Sequence, residues 1–383
     1  MASEKILEAP LVRVLDATLA PAGGPVRVSI SRLHAPERLA PAMSAAGGPV
    51  EVSDGRITAM GLPSRLVDCS AVELGWAGAQ ALAAALEKAV SAWLGAPPEL
   101  VTRARMLDCS RRPVVMGILN VTPDSFSDGG RYYDPSRHPR AAIERGRELA
   151  AAGADLVDVG GESTRPGADP VGEKEELRRV LPVVEALAVD GLVISIDTSK
   201  ALVARAAVEA GAAIVNDVTA GRHDASLLPT VAELGAAYVL MHMQGTPRTM
   251  QRNPLYSDVV AEVFDFLGAG LERCAGAGID PVRVVVDPGI GFGKTVEHNL
   301  RLLRHVRELT SLGRPVLVGT SRKSFLSRLG GGLGEHERLE GSLATAALAV
   351  ANGVAIVRVH DVPETVQAVR VAHAIATGTW SDA

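Results

Sequence analysis

The hydrophobic pattern changes near residue 110 and then repeats one unit towards the end of the chain. Short apolar runs rich in β-branched residues alternate with amphipathic stretches rich in Ala, Leu, Arg and Glu. Runs that are apolar on both faces are typical of parallel strands buried on both sides. The predicted strands lie at 113–119, 154–160, 192–197, 212–217, 236–242, 283–287, 315–320 and 354–360.

This rhythm predicts a closed barrel. Eight strand–helix units over about 270 residues fit the size of a (β/α)8 barrel. An open doubly wound sheet also alternates strands and helices, but no dinucleotide-binding fingerprint accompanies these units, which favours closure. We therefore predict an α/β fold, with a (β/α)8 TIM barrel at 111–383 preceded by a small α+β domain at 1–110.

The first 110 residues carry less information. The segments 26–48 and 50–61 predict a strand, a helix and a further strand, and 76–95 predicts an amphipathic helix. No catalytic pattern is present there, so a packing or oligomerisation appendage is the simplest interpretation. Its role stays open.

Composition excludes several classes of partner. A net charge of −5 and aromatic residues at 3% argue against a nucleic-acid-binding surface. The scattered cysteines Cys69, Cys109 and Cys274 have no metal-ligand spacing and indicate reduced thiols of a cytoplasmic protein. We also expect no signal peptide and no membrane span.

Polar side chains stand at the ends of the predicted strands. Active sites of such barrels lie at the C-terminal ends of the strands, so these side chains are expected to meet in one ring. Each alone could be a loop cap or a rim hydrogen bond, but the whole set exceeds what capping requires. The strand-end residues are Asn120, Glu162, Thr164, Arg165, Asp197, Asn216, Asp217, Met241, His242, Asp287, Ser321, Arg322, Lys323, Arg358 and His360.

The cations of the ring predict an anion site. Arg165, Lys323 and Arg358, with His360, follow the second, seventh and eighth strands. Barrels of this kind commonly bind phosphate near strands seven and eight. Arginine grips phosphate with two parallel hydrogen bonds, and lysine adds a compact charge.

The acids and amides predict two further functions. Asp197, Asn216 and Asp287 can read a planar heterocycle that offers N–H donors and ring-nitrogen acceptors. Asn120 and Asp128 supply oxygen ligands of the kind that Mg²⁺ takes beside substrate phosphates and water. The ring thus suggests a polar heterocycle on the barrel floor and a metal-bridged phosphate nearer the rim.

One motif resembles a phosphate-binding P-loop and fails the test. The segment PGIGFGKT at 288–295 has Pro288 where that motif requires glycine, and it follows the sixth strand. We interpret it as a glycine-rich barrel loop that carries Phe292. The sequence also lacks HExxH, GxSxG and paired CxxC, so zinc or serine hydrolysis has no support.

Seven segments together carry a family resemblance. They are GILNVTPDSFSDGG, GGESTRPGA, SIDTSK, IVNDVTAG, VVVDPGIGFGKT, GTSRKSFL and VRVHDV. In this order they resemble the dihydropteroate synthase family, and the resemblance spans roughly residues 113–370.

The resemblance implies a reaction and its partners. The family condenses 6-hydroxymethyl-7,8-dihydropterin diphosphate with 4-aminobenzoate, giving 7,8-dihydropteroate and diphosphate in folate biosynthesis. It implies Mg²⁺ as the cofactor, held at Asn120, and an SN1-like loss of diphosphate before the arylamine attacks. It also implies a homodimer that works on small molecules.

The resemblance further assigns roles to single positions. The expected catalytic residues are Asp128, Arg165 and Lys323. The expected contacts of the pterin and diphosphate are Thr164, Arg165, Asp197, Asn216, Met241, Asp287, Lys323, Arg358 and His360. The expected aminobenzoate pocket, which sulfonamides also occupy, consists of Phe126, Pro166, Phe292 and Ser324.

Two alternatives compete with this interpretation. A methyltetrahydrofolate:corrinoid methyltransferase shares the pterin-reading Asp and Asn pattern but has no need of the SRK cations or the first loop. A pterin-binding protein without turnover belongs to a different class, and the intact loops argue against it.

Overall fold

The computed structural model describes most of the chain and divides it into two compact units. The first unit comprises residues 1–96 together with 307–313, and the second comprises 97–306 and 314–383. The domain bounds predicted from the sequence, 1–110 and 111–383, stay a prediction. The residues that the structure describes are 7–16, 24–33, 36–53, 55–122, 138–163 and 169–379.

The first unit is an antiparallel sheet covered by helices. Its strands pair in the order β1-β2-β4-β3, and alternate residues of β4 are buried, as expected of a sheet with one covered face. The predicted strand–helix–strand order is present, but the last segment forms a hairpin and β1 was not predicted. The elements are β1 Leu7–Asp16, β2 Val26–Leu33, α1 Pro36–Ser44, β3 Val50–Ser53, β4 Arg56–Gly61 and α2 Pro63–Leu94.

Helix α2 begins earlier than the sequence predicted. Pro63 stands in its first turn, where the missing N–H is no loss and the fixed φ suits a helix. Leu82, Leu86 and Trp93 recur at helical spacing and are buried in the core of the first unit.

The segment 307–313 belongs to this first unit although it lies far along the chain. The Oγ of Ser311 accepts a hydrogen bond of 3.1 Å from the backbone N–H of Val14. The Arg307 guanidinium lies 4.3 Å from the centre of the Trp93 ring. These contacts hold the 3-10 helix Val306–Leu312 against strand β1 and helix α2.

The second unit contains the predicted barrel. A short hairpin precedes eight strand–helix repeats. The strands are β5 Leu100–Val101, β6 Met106–Leu107, β7 Val114–Asn120, β8 Leu156–Gly160, β9 Ile194–Asp197, β10 Ile214–Asp217, β11 Ala237–Met241, β12 Val284–Asp287, β13 Leu317–Val318 and β14 Ile356–Val359. The helices are α3 His138–Ala151, α4 Glu173–Val189, α5 Ala201–Glu209, α6 Leu227–Leu234, α7 Val259–Gly276, α8 Val296–Arg304, α9 Ser324–Leu329, α10 Leu339–Ala351 and α11 Val362–Thr377.

Strand pairing closes the sheet. The parallel strands follow the order β12-β11-β10-β9-β8-β7-β14-β13. A parallel bridge between Val286 and Val316 joins the two ends of that order. The (β/α)8 prediction is therefore confirmed. Seven predicted segments contain the strands β8 to β14, and β7 overlaps the first segment but ends one residue beyond it.

The N-terminal end of the barrel is filled with apolar side chains. Leu100, Leu107 and Cys109, from the hairpin β5–β6 and the residues after it, pack with residues near the starts of the barrel strands. Burial raises the pKa of the Cys109 thiol to about 12, which keeps it protonated and unreactive. The described residues at this end of the barrel thus form an apolar plug.

Candidate active site

A period of two along each strand places the site residues. Side chains two apart on a strand face the same side of the sheet. The apolar layer inside the barrel contains Leu156, Val193, Ile214, Val285 and Ile356. The residues two positions further along are Asp158, Ser195, Asn216, Asp287 and Arg358. One apolar floor is thus followed directly by a ring of polar side chains.

The centre of the ring is a hydrogen-bonded network of charged and amide groups. Arg358 donates from Nε to Oδ2 of Asp158 at 2.6 Å and from Nη2 to Oδ2 of Asp197 at 2.7 Å. Asn216 donates from Nδ2 to the same Asp158 oxygen at 3.0 Å. The structure brings the predicted residues Asp197, Asn216 and Arg358 together with Asp158, which the sequence analysis missed.

Two carboxyl groups of the ring, those of Asp197 and Asp287, have raised pKa values. Burial raises the pKa of Asp197 to about 7, against the opposing pull of Arg358 and with a further raise from Asp158. Burial also raises the pKa of Asp287, although the Gly289 N–H and nearby cations lower it in part. Groups balanced in this way are characteristic of functional sites.

The glycine-rich loop after β12 is fixed by a buried amine. Lys294 donates from Nζ to the carbonyl oxygens of Gly289 at 2.9 Å and Phe292 at 3.0 Å, and contacts Nδ1 of His242 at 2.9 Å. Oδ1 of Asp287 accepts from the Gly289 N–H at 2.7 Å. Burial lowers the pKa of Lys294 well below its usual range. The sequence analysis noted this loop but gave Lys294 no role.

The backbone at position 289 requires glycine for two reasons. Its φ is +65°, in the left-handed region that favours glycine. A Cβ added there would lie 1.9 Å from the carbonyl oxygen of His242. The backbone of the loop is therefore pressed against the end of β11.

Lys323 brings a cation to an aromatic face beside this loop. Its Nζ lies 4.4 Å from the centre of the Phe292 ring and donates to the carbonyl oxygen of Ile290. Burial lowers its pKa to about 8, with Asp287 opposing the shift. Phe292 also packs on the apolar cluster that contains Met241. The structure thus joins a predicted pterin contact, a predicted aminobenzoate contact and a predicted catalytic lysine.

The remaining residues after β13 separate into different roles. Ser321 contacts Nδ1 of His360 at 3.0 Å. Arg322 has a φ of +58° and forms an ion pair with Asp361, so its charge is already engaged there. Ser324 begins α9 and is exposed. Of the SRK segment, Lys323 faces the ring, whereas Arg322 supports the neighbouring loop.

Asn120, the predicted metal ligand, is the last residue of β7. A methyl group built on Gly160 would lie 3.8 Å from Oδ1 of Asn120 and 3.8 Å from Oδ2 of Asp197. These are ordinary contact distances, so the two oxygens, from the ends of β7 and β9 on either side of β8, come close to the same point. Within the described ranges, no three His, Cys, Asp or Glu side chains cluster closely enough to hold a metal. The Mg²⁺ site expected at Asn120 stays a prediction.

Several predicted positions lie outside the residues that the structure describes. They belong to the segments 123–137 and 164–168. Their roles stay predictions. These residues are Phe126, Asp128, Thr164, Arg165 and Pro166.

Comparison with known proteins agrees with the barrel fold. The profile of the family described as "Pterin binding enzyme" matches residues 116–360. A dihydropteroate synthase from Mycobacterium leprae is 49% identical over 273 residues, which cover 70% of this chain and 93% of that one.

Solved structures give the same result. A Xanthomonas albilineans dihydropteroate synthase with 4-aminobenzoic acid has a TM-score of 0.67 at 48% identity and covers 73% of this chain and 98% of its own. The same enzyme in complex with 7,8-dihydropteroate has a TM-score of 0.65 at 46% identity, over 73% of this chain and 98% of its own.

The barrel and its polar ring define a pterin-binding enzyme. The chain belongs to that family and, within it, to the dihydropteroate synthases. It is a transferase with dihydropteroate synthase activity, as the resemblance implied. None of the described helices has the length and apolarity required to cross a membrane.

Proposed function

We propose that the ring at the C-terminal end of the barrel joins 6-hydroxymethyl-7,8-dihydropterin diphosphate to 4-aminobenzoate. The observation that carries this proposal is the network of Asp158, Asp197, Asn216 and Arg358 on the barrel floor. It combines acceptors for a heterocycle with a cation fixed in position. The products are 7,8-dihydropteroate and diphosphate.

The floor of the ring reads the pterin. Asp197, Asn216 and Asp287 each keep a side-chain oxygen that receives no hydrogen bond from the described residues. A dihydropterin presents N–H groups along one edge, and buried oxygens without donors select such groups. Met241, in the apolar cluster, provides a surface for the flat ring.

The cations neutralise the diphosphate. Lys323, Arg358 and His360 come from the ends of β13 and β14, and Thr164 and Arg165 complete the set in the second loop. Mg²⁺, when bound at Asn120, would supply further charge neutralisation to the leaving group. Asp128 is proposed to organise this region from the first loop, as the resemblance implies.

The aminobenzoate is proposed to lie beside Phe292. The Phe292 ring has Lys323 over one face, so this pocket combines an aromatic wall with a nearby cation that suits a carboxylate. Phe126, Pro166 and Ser324 are the other proposed contacts.

The arylamine is a weak nucleophile, so we expect the enzyme to act mainly by electrostatics and by positioning the two substrates. Loss of diphosphate leaves positive charge on a methylene conjugated with the electron-rich dihydropterin, which favours a dissociative, SN1-like path. Held carboxylates such as Asp197 and Asp287 can stabilise that charge by fixed electrostatics. The amine nitrogen, held close to the methylene, then forms the C–N bond and releases one proton to solvent or the departing diphosphate.

The test follows both products of the purified full chain. Dihydropteroate and diphosphate are expected in equal amounts, and only with Mg²⁺ present. An Asp287→Asn variant is expected to lose at least about tenfold in kcat/KM, because it lacks the negative charge that Asp287 is proposed to place beside the pterin. Glu185→Gln, a carboxylate-to-amide change at an exposed position of α4, serves as the control. Pterin binding without any product would favour a methyltransferase or a binding protein.

A homodimer and a cytoplasmic location complete the proposal. Leu348, Val371 and Ile375 are exposed apolar side chains on the neighbouring helices α10 and α11, which supports association through this face. Light scattering should give twice the chain mass, and Val371→Glu should reduce it. A single chain mass for the unaltered protein would contradict the dimer. The residues 1–110 are proposed to act as an appendage without catalytic groups.

A further inference from the structure

Asp158 is a buried acid that the sequence analysis passed over. It lies within β8, two residues before the strand ends, and its exposed fraction is 0%. Its oxygen Oδ2 accepts from both Nδ2 of Asn216 and Nε of Arg358. A single carboxylate oxygen therefore connects an amide and a guanidinium from β10 and β14.

The contact with Asn216 settles which end of that amide is available. A carboxylate oxygen accepts hydrogen bonds, so the amide must turn its NH₂ group towards Asp158. The carbonyl oxygen Oδ1 of Asn216 is then left free, and no described residue donates to it. If Asp158 were absent, the amide could rotate by half a turn and offer a donor instead.

The second oxygen of Asp158 argues against a purely structural role. Oδ1 is buried and has no hydrogen-bond partner in the described part of the chain. Buried carboxylates kept for stability usually have both oxygens paired. Leaving one oxygen unpaired is costly, and such cost is expected where a site is arranged for a ligand.

We propose that Asp158 is a positioning residue that sets the hydrogen-bond polarity of the pterin site. By holding the NH₂ group of Asn216, it makes this amide an acceptor and so selects a ligand edge with an N–H at that point. Its contact with Nε of Arg358 fixes the guanidinium at the same time. The inference rests on the proposed role of Asn216 in binding the pterin.

The first test is a double-mutant cycle on ligand binding. The probe is 6-hydroxymethyl-7,8-dihydropterin diphosphate with Mg²⁺ and without 4-aminobenzoate. Asn216→Ala and Asp158→Leu are each expected to weaken binding by about tenfold or more. The double variant is expected to stay within about threefold of Asp158→Leu, because a freed amide has little left to lose. In turnover assays, the KM for the arylamine substrate should change little in any folded variant.

The second test uses Asp158→Asn, which keeps the shape of the side chain and one acceptor oxygen. This variant should bind the probe within about fivefold of the unaltered protein, since both donors keep their partner. In ¹⁵N-asparagine-labelled protein, the side-chain signal of Asn216 should move because its acceptor has lost its charge. That measurement remains valid if the leucine variant does not fold.

The outcomes separate the inference from the function on which it rests. If Asn216→Ala binds the probe normally, the proposed pterin site is wrong. If Asn216→Ala weakens binding but the two losses simply multiply, Asp158 does not act through Asn216. An Asn216 signal that stays unchanged in Asp158→Asn would also overturn the inference.

Discussion

Arg358 and Asp197 form a buried ion pair, with Nη2 of the arginine 2.7 Å from Oδ2 of the acid. The same guanidinium also holds Asp158. One cation thus offsets two carboxylates at the floor of the barrel, so its loss affects the fold as well as binding.

Arg358→Met should therefore destabilise the protein strongly. Two buried carboxylates lose their partner, which costs about 3–5 kcal/mol of the free energy of unfolding. Arg205→Met is the control, because Arg205 pairs with Glu233 at a site where the side chains are 39% and 64% exposed. That surface pair should be worth about 1 kcal/mol or less. Urea unfolding of both variants measures the two losses in the free energy of unfolding. Equal losses would contradict the argument that the buried pair is worth more than the surface pair.

The affinity for the diphosphate substrate should fall at alkaline pH. The pKa of Lys323 is lowered to about 8, so the amine is protonated below that pH and neutral above it. The KM for the pterin diphosphate should rise above pH 8 by up to about tenfold per pH unit. Lys323→Arg stays charged throughout and should lack this rise, whatever its baseline. The same rise in both proteins would trace the effect to another group.

Gly289→Ala should be far more damaging than Gly331→Ala. Both glycines have positive φ, at +65° and +81°. A Cβ at 289 meets the His242 carbonyl at 1.9 Å, whereas one at 331 meets nothing within 4 Å. The backbone conformation alone costs about 1–2 kcal/mol, and only position 289 adds a clash. Unfolding free energies and kcat/KM of the pair measure that difference, and similar values would argue against the close approach.

Lys294→Met should loosen the glycine-rich loop. The carbonyl oxygens of Gly289 and Phe292 lose a buried donor, which costs about 1–3 kcal/mol. Because Phe292 lies in the proposed aminobenzoate pocket, the KM for the arylamine substrate should rise more than the KM for the pterin substrate. Lys174→Met, at an exposed position of α4, is the matched control. A variant with unchanged stability and KM values would show that the loop holds its shape without Lys294.

Ser311→Ala should destabilise the first unit without altering catalysis. The backbone N–H of Val14 loses its buried acceptor, at a cost of about 1–3 kcal/mol. Thermal unfolding should begin at a lower temperature, while kcat and the KM values for both substrates stay within error. A fall in kcat would instead give the first unit a part in the reaction.

Much of the barrel could be predicted because each of its strands is marked by a short local pattern in the sequence. Strands buried on both faces leave continuous apolar runs, and an observed strand overlaps each of these runs. The polar residues at the strand ends could be predicted for the same reason, because the end of each apolar run locates the residue that follows it. Asp197, Asn216 and Arg358 did meet in the structure.

Asp158 was missed because only strand ends were considered. It lies two residues after Leu156, so counting in steps of two from the apolar floor would have found it. Lys323 and Arg322 show a different limit. They are neighbours of similar charge, and only the positive φ of Arg322 and its pairing with Asp361 separate their roles.

The segment 307–313 has a consequence for how the chain is made. During synthesis the first 96 residues emerge long before this segment does, yet both belong to one compact unit. Until the ribosome has passed residue 313, that unit therefore lacks Ser311, which accepts the hydrogen bond from Val14, and Arg307, which lies over the Trp93 ring. Domains usually fold in order from the N-terminus. Here the N-terminal unit is completed only after most of the barrel strands have been translated.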